Sequence, residues 1–207
     1  MSSALDGHDH GHAAPDSPAR IGPNAIIRVG EALNDRYGSA RACFEQAGLA
    51  RYLAEPPSEM VDERDVIALQ RALREQLGIT AARAVCHDAG LRTGDYLLAH
   101  RIPRPAQRIL RLLPPGPASR MLLGAVGKHA WTFSGSGHFS FEASRPVRVT
   151  IAGCPLCRDA VADEPLCDFY TATFERLFRT LVSRRTEVVE VQCQAQGASA
   201  CVFEMHW

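Results

Sequence analysis

Over much of the first 130 residues apolar side chains recur every three or four positions, the spacing of helices that bury one face. Ile26, Ile27, Ala32 and Leu33 follow Pro23, which suits a first helical turn, and Gly38 ends that run. Ser39–Ala47 and Ala50–Ala54 predict short helices, broken at Pro56-Pro57. Asp62 or Asp65 is placed to cap the next helix, which carries Val66, Leu69, Leu73 and Leu77 and stops at Gly78. Thr80–His100 continues with Ala, Leu and Val, and interruptions are expected at Gly90 and Gly94. Pro103–Leu113 and Pro117–His129 predict two further helices, separated by Pro114-Pro115-Gly116-Pro117.

Beyond His129 the period shortens. Trp131 and Phe133, then Phe139 and Phe141, then Val147, Val149 and Ile151 alternate with polar or small residues, as strands with one buried face do. Gly135-Ser136-Gly137 reads as the turn between the first two strands. Asp163–Ser183 predicts one long amphipathic helix on Phe169, Phe174, Leu177, Phe178 and Leu181, with Arg176, Arg179, Arg184 and Arg185 as a solvated face near its end. Glu187–Gln194 and Ala200–His206 predict two strands joined through a turn at Gly197. The fold class expected is α+β: a helical region at residues 21–130 packed on a C-terminal antiparallel sheet with one long helix, at residues 131–207. Residues 1–20, with His8, His10 and His12 among Gly, Asp and Ser, are too poor in apolar side chains to offset the entropy of ordering and read as a disordered tail.

Composition narrows the choice of function. The chain has 207 residues, 46% of them hydrophobic, enough for one substantial core. Lys+Arg 23 against Asp+Glu 23 gives no bulk attraction to nucleic acid or to an anionic membrane. Apolar stretches such as Met121–Val126 are far shorter than the roughly 20 residues of a membrane span. The start lacks the basic and apolar regions of a signal peptide, so the cytoplasm is the expected compartment.

Seven cysteines, an odd number, argue against a disulfide framework. Cys43 and Cys86 stand singly in helical sequence and read as core thiols. The other five, Cys154, Cys157, Cys167, Cys193 and Cys201, fall in the last quarter of the chain, and that clustering points to a metal. Thiolates suit Zn²⁺, which takes four ligands in a tetrahedron. Cys154-Pro-Leu-Cys157 lets two sulfurs reach one ion, and Cys193 and Cys201 flank the Gly197 turn, so spacing suggests Cys154, Cys157, Cys193 and Cys201 as a Cys₄ set. Cys167 competes from the start of the long helix, where the helix dipole favours a thiolate. An iron–sulfur cluster fits less well, because the spacing matches neither common ferredoxin pattern. Unmetallated buried thiols are the remaining alternative.

Three separated stretches carry a family resemblance: RIGPNAIIRVGEALNDRY from Arg20 to Tyr37, LLPPGPASRMLLGAVGKHAWTFSGSGHF, and EVVEVQCQAQGASACVF near the end. Together they resemble the bacteriochlorophyll 4-vinyl reductase family. Residues from about Met121 to Trp207 resemble its 4-vinyl reductase domain, a small-molecule-binding module also found in aromatic-sensing transcription activators. In those sensors a structural zinc is held by a Cys, a Glu and Cys three apart, and a Cys eight further on. The resemblance therefore implies Cys167, Glu190, Cys193 and Cys201 as ligands, with Cys154 and Cys157 as alternatives or a second thiol site. In a regular strand residues three apart face opposite sides, so Glu190 and Cys193 share an ion only through a bulge or strong twist.

The family name implies reduction of the 8-vinyl group of a divinyl chlorophyllide precursor to ethyl. Side chains supply no hydride, so a nicotinamide, flavin or other external reductant is required. Gly135-Ser136-Gly137 lacks the third glycine of a dinucleotide motif and precedes strand-like sequence, so it supports no nicotinamide site. The alternative is a non-catalytic carrier that presents a magnesium tetrapyrrole to other bacteriochlorophyll-pathway enzymes, and a sensor module is a second alternative. For a tetrapyrrole the candidate contacts are Trp131, Phe133, Phe139 and Phe141 as walls, His129 or His138 as axial ligand to magnesium, and Arg148 or Arg145 for a propionate. Each also reads as ordinary core or surface. The sequence leaves room for a homodimer.

Overall fold

The computed structural model describes residues 19–207; His8, His10, His12 and nearly all of the expected tail lie outside the described residues. Arg20, assigned above to the tail, instead opens a short strand. That strand, β1 (Arg20–Ile21), pairs antiparallel with β2 (Val61–Asp62). The helices that follow are α1 (Asn24–Tyr37), α2 (Arg41–Gln46), α3 (Arg51–Ala54), α4 (Glu63–Leu77), α5 (Ile79–His100), α6 (Arg104–Leu112), α7 (Pro115–Gly127) and the single turn α8 (Trp131–Ser134). Gly38 closes α1 in the left-handed conformation, and its N–H donates to the Asn34 carbonyl. Asp62 caps α4 by accepting from the Arg64 N–H at 2.9 Å.

The second part is a four-stranded antiparallel sheet in the order β3-β4-β6-β5, crossed by one long helix. Its strands are β3 (His138–Glu142), β4 (Val147–Ala152), β5 (Glu187–Gln192) and β6 (Cys201–His206), and its helix is α9 (Asp168–Leu181). The fold is therefore α+β. Strand alternation turns Val147, Val149, Ile151, Phe203 and Met205 inward, where α9 covers them with Tyr170, Phe174, Leu177 and Phe178. Phe174 and Phe203 meet at 5.8 Å between ring centroids, and Tyr170 and Phe203 at 6.1 Å. Core cysteines Cys43 and Cys86 are buried, and burial pushes the Cys86 thiol pKa up to about 12.

On its other side α9 lies against α5. Gly90 and Gly94 do not interrupt α5, contrary to the sequence reading. They let the two backbones approach: a Cβ on Gly90 would meet the Phe169 carbonyl oxygen and lie 2.9 Å from the Ala172 Cβ, and one on Gly94 would lie 2.7 Å from the Arg176 Cβ. Thr173 Oγ1 donates across this contact to the Gly90 carbonyl at 3.1 Å. The helical cost of two glycines is thus offset by close packing.

Two other expectations are corrected. Trp131 and Phe133 lie in the helical turn α8, not in a strand: Thr132 Oγ1 donates to the His129 carbonyl at 2.7 Å and Ser134 Oγ to the Ala130 carbonyl at 2.9 Å, continuing the turn begun after α7. Two aromatics two positions apart are too short a pattern to separate the two structures. The long helix begins at Asp168, not Asp163, because Pro165 disfavours helical backbone at Glu164 and Cys167 occupies the cap.

Candidate functional site

The late cysteines converge where β4, the start of α9 and the bottoms of β5 and β6 meet. Cys154 and Cys157 come from the segment after β4, Cys167 from the N-cap of α9, Cys193 from the residue after β5, and Cys201 from the first position of β6. All five are buried. Two sets of four donors each fall within 4.8 Å of one another: Cys154, Cys157, Cys167 and Cys201, and Cys167, Glu190, Cys193 and Cys201. Sulfur separations are 3.5 Å for Cys154–Cys167, 3.4 Å for Cys157–Cys201, 3.7 Å for Cys167–Cys201 and 4.0 Å for Cys193–Cys201. With Zn–S near 2.3 Å, the edge of a thiolate tetrahedron is about 3.8 Å, so the donor spacing fits a tetrahedral ion.

Glu190 and Cys193 reach the same side because β5 is bulged. Glu190 pairs with Phe203 and Gln192 with Val202, which leaves Val191 as the extra residue and shifts the phase of the strand. Glu190 Oε2 accepts from the Cys167 N–H at 2.8 Å, whereas Oε1 is buried without a hydrogen-bond partner among the described residues. Burial raises the Glu190 carboxyl pKa to about 8, with Cys193 adding to the effect, and burial also raises the Cys167 thiol well above its ordinary value. A dication among these donors supplies the opposite charge that favours their ionised forms.

Several supporting residues were not singled out from sequence. Gln194 Oε1 accepts from the Cys154 N–H at 2.7 Å, and the Gln194 N–H points to Cys201 Sγ at 3.4 Å. Arg74 on α4 donates to the Leu156 carbonyl at 3.1 Å inside the CxxC segment. Burial lowers the Arg74 pKa, opposed by Cys86, Cys157 and Cys167, so its charge offsets that of nearby thiolates. Arg158 pairs with Glu63 at 3.0 Å, and Glu63 also accepts from the Ser136 N–H at 2.9 Å. This ties the CxxC segment to α4 and to the turn before β3. An Arg immediately after Cys157 is its one local signal in the sequence, since the partners lie far away along the chain.

The seven residues expected to contact a tetrapyrrole are more dispersed. Phe133, Phe139 and Phe141 form a half-buried row, with Phe133–Phe139 at 5.5 Å and Phe139–Phe141 at 6.3 Å between centroids. Phe133 also touches Tyr170 and Phe174 of α9 at 6.0 and 6.5 Å. Trp131, in the same turn as Phe133, is 60% exposed. His138 is exposed and, by strand alternation, faces away from Phe139 and Phe141. His129 is exposed after α7, and Arg148 is exposed on the outer sheet face, paired with Glu204 at 2.8 Å.

Comparison with known proteins follows the same division. The 4-vinyl reductase domain family matches residues 147–206. The bacteriochlorophyll synthase 23 kDa chain of Cereibacter sphaeroides is 43% identical over 188 residues, covering 90% of this chain and 90% of that protein. That of Rhodobacter capsulatus is 41% identical over 196 residues, covering 94% of this chain and 90% of that protein. The chain belongs to the bacteriochlorophyll synthase 23 kDa chain family. Within this 23 kDa family member the matched domain contains all six metal-type donors, whereas Trp131, Phe133, Phe139 and Phe141 precede it. An H-NOX family structure solved to probe heme distortion shares the fold, with TM-score 0.55 at 12% identity, covering 90% of this chain and 95% of that one. Among the described residues no helix is long and apolar enough to cross a membrane.

Proposed function

We propose that this chain serves bacteriochlorophyll synthesis as a zinc-fastened protein that binds a magnesium tetrapyrrole, at or near reduction of the 8-vinyl group of a divinyl chlorophyllide precursor. The observation that carries the reading is identity above 40% with two bacteriochlorophyll synthase 23 kDa chains over nine-tenths of the sequence. Their name also supports contact with other enzymes of the pathway. The exposed Trp131 indole, backed by the Phe133–Phe139–Phe141 row, offers the flat apolar contact that a macrocycle needs.

Cys167, Glu190, Cys193 and Cys201 would hold the zinc, which cross-links β5, β6 and α9. Four protein ligands leave no position for substrate, so the ion's role is structural. Carriage needs only the pigment surface. Reduction needs in addition a docked nicotinamide, flavin or protein reductant, because hydride must come from outside the chain's own side chains.

Titrating a magnesium divinyl tetrapyrrole into the full chain tests this. Binding is read as a stoichiometric shift of pigment absorption with quenching of indole emission, weakened about tenfold or more in Trp131→Ala. Formation of the ethyl product only when NADPH and a reducing system are added assigns catalysis, whereas binding without turnover assigns carriage. No spectral change at equimolar pigment ends the tetrapyrrole reading.

A further inference from the structure

We propose that the thiol cluster is a dinuclear site, in which Cys167 and Cys201 bridge two divalent ions of the zinc class. It rests on the metal reading above and extends it by a second ion held at Cys154 and Cys157.

The donor count comes first. Two tetrahedra that share one edge need six donors, two of them common to both. Here six buried donors form two sets of four, and the sets share Cys167 and Cys201. The shared edge is 3.7 Å long, within the spacing expected for two sulfurs on one tetrahedral ion. The remaining pairs divide by origin: Cys154 and Cys157 from the segment after β4, Glu190 and Cys193 from the bulged end of β5.

Charge supports two ions over one. Five thiolates and one carboxylate carry six negative charges, and a single dication satisfies four donors. It leaves either Cys154 and Cys157 or Glu190 and Cys193 unligated in the interior, and Glu190 Oε1 has no hydrogen-bond partner there among the described residues. Two dications engage all six donors and leave a net charge of minus two, facing the Arg74 guanidinium that also holds the Leu156 carbonyl. Thiolates bridge readily because sulfur keeps lone pairs after binding one soft cation. The CxxC arm is held for this purpose from both ends: Gln194 accepts from the Cys154 N–H, and Arg158 donates to the Gly153 carbonyl. With every position filled by protein, neither ion is open to substrate.

The test is metal stoichiometry and coupling in the full chain, purified and loaded with Zn²⁺, then with ¹¹³Cd²⁺. Two ions per chain are expected, with two cadmium resonances coupled to each other through the shared sulfurs. Cys154→Ser/Cys157→Ser should fall to one ion and one resonance while circular dichroism stays native. Should that variant fail to fold, the cadmium spectrum of the unaltered chain decides alone. One ion per chain overturns the dinuclear site and leaves the single-zinc reading standing. Two uncoupled resonances overturn the bridge. No bound metal at any loading overturns both readings.

Discussion

Gly90 of α5 faces Phe169 of α9 so closely that no side chain fits between them: an added methyl group would overlap the Phe169 carbonyl oxygen. The helices meet backbone to backbone at this point. Gly90→Ala must therefore push them apart, and we expect a loss of about 2–3 kcal/mol in urea unfolding, in the range of overpacked core sites. Gly124→Ala in α7 meets nothing within 4 Å and should instead stabilise by up to about 1 kcal/mol through helix propensity. Equal effects from the two substitutions would refute the packing argument.

Glu63 joins three segments through Arg158, the Ser136 N–H and the Ser136 hydroxyl. It is buried, so removing its carboxylate strands a guanidinium and an amide. Glu63→Ala should cost about 2–4 kcal/mol by denaturant unfolding, and Glu63→Gln less, because an amide oxygen still accepts. A change below about 0.5 kcal/mol in Glu63→Ala would mean the network contributes nothing measurable.

The Asp62 cap carries a pH signature. Its side-chain hydrogen bonds to Arg64 hold the carboxyl below the ordinary 3.8, despite opposition from burial. A folded-state pKa below the unfolded value gives stability that is present above about pH 3.8 and lost as pH falls through the depressed value. Asp62→Ala should cost about 0.5–2 kcal/mol at neutral pH, the usual worth of a cap. Melting curves of the variant and the unaltered chain should converge in acid; a gap that persists at about pH 2 would mean that charge and capping at Asp62 do not carry it.

Removing metal should loosen the closing hairpin. A strong chelator at neutral pH is expected to lower the melting temperature and added Zn²⁺ to restore it, since structural zinc contributes directly to folding. Cys201→Ser should be more damaging than Cys154→Ser, because Cys201 belongs to both donor sets. Unchanged melting after verified metal removal would deny the site a stabilising role.

What could be read from sequence was local. The rows of Ile26, Leu33, Val66, Leu69 and Leu73 specify their helices because each buries one periodic face, and Gly38 and Asp62 mark ends through their own backbone chemistry. Phe139, Phe141, Val147 and Val149 likewise reveal their strands through period-two alternation. Gly90 and Gly94 look like breaks from sequence because their purpose lies in α9, some 80 residues along the chain. The donors at the thiol cluster are visible as residue types, but sequence spacing cannot divide six of them into sets. That depends on a bulge at Val191 and on a cap at Cys167, both set by tertiary pairing. The link from Glu63 to Arg158 has no local trace that would pair the two.

The bulge in β5 has an effect beyond ligand geometry. β5 is an outermost strand of the four, and Val189 and Val191 are exposed on it at 49% and 45%. An apolar border of this kind ordinarily invites a further strand from another molecule to add on. The extra residue breaks the regular repeat of free amides and carbonyls that such an addition would need. The kink that turns Glu190 toward Cys193 thereby also guards the protein against sheet-to-sheet aggregation.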